Sequence, residues 1–337
     1  MKKHGFYGFW LVALFIMIFG LGSFCLAGEK VYDGDYLINS PARLKALSGF
    51  TEVTGSLIIG FVPYFIYQMQ DAGILINDNA LLESKFSLRK IRNLDGLESL
   101  TTIGGHLQIG GCVWMDACIG NQKLRDIEGL RNLKSVGGDV EIVSNISLTN
   151  IDGLRSLEEI GGSLSISGNP VLKNLAGLNN LTTVGHGVSI GWHIALRHID
   201  GFDNLTSLGG SLTIRKNVVL KDISGINNIT STTYLQIKEN PLLQSITGLS
   251  QLTHVGDGTY TDSSYHHLYI YENPRLKDIS GLDQVTSVDG DLYLYCNNRA
   301  LKPDLERFKD RLIDEGWTGC WDFTCYDKDS PVCTSAE

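Results

Sequence analysis

Charge and proline are scarce in this chain, and recognisable reaction motifs are missing. Charged residues make up only 19% of the 337, and the formal net charge is −9. No basic stripe is visible along the sequence, so nucleic acid, a polyanion, is not an expected partner. Proline numbers 7 against 38 glycines. That balance, with abundant Leu and Ile, fits an all-β or repeat protein that turns sharply every few residues. There is no P-loop, no G-x-S-x-G, no H-E-x-x-H and no dinucleotide fingerprint, so no catalytic residues and no cofactor are expected. C-x₂-C pairs are also missing, which favours disulfides over a zinc site for the late cysteines.

What is present begins with a targeting pattern. Lys2 and Lys3 precede an uncharged apolar run from about Phe6 to Phe24, and Cys25 and Ala27 place small residues at a cleavage site. Residues 1–27 read as a signal peptide, with retention as an N-terminal membrane anchor the alternative. No second apolar run is long enough to span a bilayer. Cleavage removes two lysines and no acid, leaving 26 basic against 37 acidic residues. It also removes Cys25 and leaves an even set: Cys112, Cys118, Cys296, Cys320, Cys325 and Cys333. An exported chain with an even count implies disulfides, and the four late cysteines allow three pairings. The expected location is secreted, periplasmic or cell surface.

A repeat dominates the rest. A Gly followed by Leu, Phe or Ile recurs at Gly96, Gly129, Gly153, Gly177, Gly201, Gly225, Gly248 and Gly281, with spacings of 33, 24, 24, 24, 24, 23 and 33. Each unit carries a period-two triplet, such as Leu164-Ser165-Ile166 or Leu212-Thr213-Ile214, which predicts a short half-buried strand. Glycine pairs such as Gly161-Gly162 come just before it and suit a sharp corner. No unit has a helical pattern of useful length, so each turn should run strand, corner, strand, corner. One turn cannot cover its own apolar side. Stacked turns bury a shared column of Leu and Ile. The predicted fold is therefore an all-β, β-helix or leucine-rich-repeat-like solenoid with turns of about 24 residues over 31–300. An earlier turn over Leu47–Ile59, a strand at Gly73–Asn77 and a first strand at Tyr36–Ile38 extend the pattern less regularly.

Asparagine follows the strand at Asn145, Asn169, Asn217, Asn240, Asn273 and Asn297, with His193 in the matching place once. A side-chain amide there can satisfy backbone groups in the corner and the adjoining turn. Residues 301–337 read as a cap: a short helix from Pro303 to Glu315, stopped by Gly316, with Leu305, Phe308, Leu312 and Ile313 on one face, then a Cys-rich tail holding Trp317 and Trp321. The two 33-residue turns carry insertions, one with Cys112, Trp114, Met115 and Cys118, the other spanning Asp257 to His267. Such insertions become surface loops, often on the binding face.

Tyr32-Asp33-Gly34-Asp35-Tyr36-Leu37-Ile38, then Leu47-Ser48-Gly49-Phe50-Thr51-Glu52-Val53-Thr54-Gly55-Ser56-Leu57, and the repeated Gly-Leu…Leu-Thr…Val-Gly-Gly…Leu-x-Ile units resemble the receptor L-domain family. These are the leucine-rich β-helix modules of insulin and epidermal growth factor receptor ectodomains, and similar domains occur in exported microbial proteins. The resemblance covers about 31–300. It implies a binding role with no catalytic residues to carry over. The chain departs from those receptors in having more turns than one such domain, no kinase and no furin-like module.

With Leu and Ile inward, the outward strand positions are Ser165, Ser189, Thr213, Arg215, Gln236, Lys238, Tyr269, Tyr271, Tyr293 and Tyr295. Four tyrosines from two neighbouring turns form one candidate patch, with Arg215 and Lys238 beside it. Tyrosine offers area and a hydroxyl at low entropic cost. The bland alternative is that the rings stack and stabilise the sheet. The in-register aspartates, Asp126, Asp222, Asp278, Asp95, Asp152 and Asp200, read as corner acceptors. His266-His267 points to opposite faces and reads as no metal site. The expected function is binding or adhesion toward a protein or glycan. The rival classes are a polysaccharide-acting β-helix enzyme, which needs grouped outward acids, and a purely structural surface protein.

Overall fold

The computed structural model describes residues 29–60, 91–111, 120–256, 268–323 and 332–333. Strands and their partners follow the repeat. Leu164–Ser167 pairs in parallel with Val140–Val143 on one side and Val188–Gly191 on the other, with Leu164 opposite Val140 and Val188. Leu212–Arg215, Leu235–Lys238, Leu268–Tyr271 and Leu292–Tyr293 continue the same register. Each coil thus places its alternating triplet directly over the previous one. The result is a 12-stranded sheet, parallel except at its last pair. Two-residue strands such as Glu159–Ile160 and Thr183–Val184 form a second stack of seven and a third of three. The described chain is mostly parallel strand in long stacked sheets with few helices, consistent with a β-helix or solenoid-like all-β fold.

The inside is the continuous apolar column that the alternation demands. Leu164, Ile166, Leu172, Leu175, Leu178, Leu181 and Val184 of one coil are all fully buried, and neighbouring coils repeat the set. Phe202 is the largest fully buried side chain. The expected strand–corner–strand–corner coil needs one correction. The third side is closed by three-residue 3-10 turns, including Asp152–Leu154, Ala176–Leu178 and Ser280–Leu282. This is where the recurring Gly-Leu sits. A methyl group on Gly153 would run into the carbonyl of Ile127 in the coil before, so only glycine lets the coils close to strand spacing. A three-residue turn is too short to leave a helical period in the sequence.

The polar corner is equally regular. Asn121, Asn145, Asn169, His193, Asn217, Asn240 and Asn273 are fully buried. The Asn145 backbone N–H donates to Asn169 Oδ1 at 2.9 Å, and the Asn169 amide donates to the carbonyl of Ile142 at 2.8 Å. Asn217, Asn240, Asn273 and Asn297 repeat both bonds or one of them. The ladder satisfies backbone groups that the turn would otherwise bury unpaired. The residue before every rung but Asn121 is left-handed: Ser144, Gly168, Trp192, Lys216, Glu239, Glu272 and Cys296 all have φ between 53° and 65°.

Both ends differ somewhat from expectation. Val31–Tyr32 precedes Tyr36–Ile38 as the first strand. A short helix, α1 (Pro41–Ala46), follows, with Ser40 accepting at its N-cap and proline in its first turn. The strand expected at Gly73–Asn77 lies outside the described residues. The strands on either side of it, Leu57–Ile59 and Leu107–Gly110, pair directly with each other. At the C-terminus α2 (Lys302–Asp314) buries Leu305, Phe308 and Leu312. Ile313, expected on the same face, is exposed instead, because it follows Leu312 by one residue and so turns about 100° away. Gly316 stops the helix at φ 95°, and buried Trp317 donates its indole N–H to the carbonyl of Gly290 at 2.8 Å. Among the described residues no helix is long and apolar enough to cross a membrane.

Candidate functional site

The outward face of the long sheet changes character along its length. Register sets Ser165, Ser189, Thr213, Gln236, Tyr269 and Tyr293 in one row. Arg215, Lys238 and Tyr271 stand in the row beside it. Small hydroxyls occupy the middle of the stack and tyrosines its C-terminal end. All four predicted tyrosines come together, and all are half-buried. Tyr269 and Tyr293 stack face to face at 4.6 Å with planes 6° apart. Tyr271 and Tyr295 do the same at 4.7 Å and 16°. The sheet spacing of about 4.8 Å sets this, because in-register parallel strands hold like side chains at the distance aromatic rings prefer.

A fifth ring joins them. Tyr234 lies 5.6 Å from Tyr269, and its hydroxyl accepts from Gln236 Nε2 at 2.6 Å. Sequence reasoning missed it, although its parity with Gln236 and Lys238 put it on the outward face. The two predicted cations behave differently. Lys238 reaches over the Tyr271 ring at 5.4 Å and lies 3.8 Å from Glu239. Arg215 acts on Tyr234 electrostatically, and its Nε is buried without a hydrogen-bond partner.

Burial raises the phenols of Tyr269, Tyr293 and Tyr295. It pushes Tyr295 up to about 12, with Tyr271 adding to it, and raises Tyr269 and Tyr293 in the same direction, with Tyr293 and Asp291 the next causes respectively. These three hydroxyls therefore stay neutral at physiological pH and can both donate and accept. The Tyr293 hydroxyl contacts Asp291 Oδ2 at 3.4 Å. A cleft of about 550 Å³ opens beside Asp291, between the last coils and Trp317, and a second of about 270 Å³ lies against α2 at Lys277, Arg307 and Arg311. What this end of the face offers is hydrogen bonding and aromatic area, with Arg215 and Lys238 on one side and the Asp291 carboxylate on the other.

The remaining candidates fall as follows. Cys296 and Cys320 are disulfide-bonded. Cys112, Cys118 and Cys325 lie outside the described residues, as do residues 1–27, Trp114, Met115 and the Asp257–His267 insertion with His266 and His267. Cys333 is described only as a strand residue opposite Cys320. The aspartates act at corners: Asp126, Asp222 and Asp278 accept from the backbone N–H two residues on. Asp200 accepts from Leu175 N of the adjoining coil at 2.7 Å. No group of three or more metal-ligating side chains occurs among the described residues. A scan with protein-family models finds no match to this chain. A search of curated proteins finds none either.

Proposed function

We propose that the chain is an exported binding module. In this reading it is a leucine-rich-repeat-like β-solenoid of the receptor L-domain type, held at or outside the cell surface. It recognises a protein or glycan ligand through the tyrosine end of its strand face. The observation that carries the reading is the pair of face-to-face tyrosine stacks, because they concentrate aromatic area at one end of a face whose middle carries small hydroxyls. Stacking turns ring faces toward each other and leaves edges and hydroxyls outward. A sugar ring therefore has little flat aromatic surface to lie on, while a protein surface can pack on the edges and bond the hydroxyls, so the geometry favours a protein ligand. Lys238 and Arg215 add positive charge at the rim.

The test compares the full chain with a Tyr269→Ser/Tyr293→Ser variant on an array of extracellular proteins and glycans, with a polysaccharide-cleavage screen run alongside. The variant should lose the captured ligand while its melting temperature falls by only a few degrees, since one stacked pair contributes about 0.5–1.5 kcal/mol beyond its area. Equal capture by both proteins, with a lower melting temperature for the variant, would assign the rings to stability. Cleavage activity on any polysaccharide would move the chain to the enzyme class.

A further inference from the structure

A second concentration of chemistry lies off the tyrosine face, at the edge where the chain leaves the asparagine corner. Arg125, Lys173, Arg197, Lys221 and Lys277 each stand four residues after a ladder residue, so stacking puts them in one row. Arg92 precedes them in register, its carbonyl accepting from Arg125 N at 2.9 Å. Backbone bonds from Lys221 to Arg197, Gln244 to Lys221 and Lys277 to Gln244, at 2.8, 2.8 and 3.0 Å, fix the alignment. Thr149 and Gln244 fill the two remaining coils, so the row holds no acid. At about 4.8 Å per coil, eight coils extend over about 34 Å.

All six cations are exposed. None forms an ion pair among the described residues. Lys277 is within electrostatic range of Asp278. The nearest acid column, Asp126, Asp222 and Asp278, is half-buried and committed to corner hydrogen bonds. On the other flank an apolar ridge is exposed: Ile146 at 51%, Ile194 at 58%, Val218 at 47% and Trp192 at 50%. Trp192 holds a left-handed backbone at φ 62°, a strained setting for a bulky residue, and Lys216 covers its ring at 4.2 Å.

We propose that this edge is a binding track for an acidic polysaccharide lying along the stack. The chain as a whole is acidic, at −9, so a single-file row of six unpaired cations is a local exception that needs a partner. Asp126, Asp222 and Asp278 each follow one of the six and offset part of that charge, while screening keeps the more distant acids from cancelling the rest, since the Debye length is about 8 Å at physiological salt. A polyuronate or sulfated glycan brings its charges in single file, sugar by sugar, as the row brings a cation in six of its eight coils. Its apolar sugar faces fit the Ile–Val ridge. Duplex nucleic acid carries a charge every ~1.7 Å, much denser than the coil spacing, and fits a broad basic face better than one row.

The experiment measures binding of the full chain to polygalacturonate, heparin, neutral dextran and single-stranded DNA over a range of salt. One or both acidic glycans should bind and dextran should not. A Lys173→Gln/Arg197→Gln/Lys221→Gln variant should weaken binding by about tenfold or more and flatten the salt dependence by roughly three ion contacts. A Lys173→Arg/Arg197→Lys/Lys221→Arg variant should keep the affinity. Tyr269→Ser/Tyr293→Ser should leave it unchanged, which separates this track from the tyrosine face. Binding of neither acidic glycan, undiminished binding by the glutamine variant, or tighter binding of DNA than of either glycan would overturn the proposal.

Discussion

One residue breaks the polar ladder. His193 occupies a rung where seven other coils place asparagine, and it donates from Nδ1 to Asn217 Oδ1 at 3.0 Å while Nε2 is buried without a partner. Burial pushes its imidazole down to about 4, opposed by the bond to Asn217. In the unfolded chain the same group titrates near 6.5. Above that pH the ring is neutral in both states and costs nothing. As pH falls from about 6.5 to 4 the unfolded chain takes up a proton that the folded chain refuses, so stability falls, by about 3 kcal/mol in full. Urea midpoints at pH 7 and pH 4.5 should therefore lie closer together in His193→Asn than in the unmodified protein. The variant should also be more stable at pH 7 by about 1 kcal/mol, because an asparagine restores the missing rung. An unchanged gap between the two midpoints would show that His193 does not titrate this way. The role of the asparagines was legible in the sequence, because a residue that recurs in every coil must serve the coil. Tyr234 was not found, since it sits just outside the triplets that define the strands.

At the scale of the element, the glycine corners decide how closely coils approach. A Cβ on Gly161 would be driven into the carbonyl oxygen of Gly137, and Gly185 stands in the same relation to Gly161. Gly161→Ala should cost about 1–3 kcal/mol in denaturant unfolding, far more than an alanine on an open surface, where changes stay within about 0.5 kcal/mol. A neutral outcome would mean the corner can widen without disturbing the strands. Strand positions and phases were readable from alternation alone. The 3-10 turns were not, since three residues show no period. The helix α1 left one signal that could have been used, Ser40 followed by Pro41, a cap and a first-turn proline.

For the whole molecule, stability should run along one dimension, because each coil touches mainly its neighbours. The cap helix α2 covers the last coil with Leu305, Phe308 and Leu312, and Arg311 donates to the carbonyls of Leu282 and Val285 at 2.7 and 3.2 Å. Phe308→Ser should raise hydrogen exchange in Leu268–Tyr271 and Leu292–Tyr293 and leave Val140–Val143 and Leu164–Ser167 near their original rates. Uniform loss of protection would mean that the stack unfolds as one unit. The sequence by itself determined the coil length, the inward Leu/Ile column, the asparagine corner and the four tyrosines, because each is written locally and repeated. Only the tertiary structure decided which residues of different coils meet. Residues 24, 33 or 50 positions apart become neighbours when parallel strands hydrogen-bond in register. That contact turns scattered tyrosines into face-to-face stacks and isolated lysines and arginines into a row.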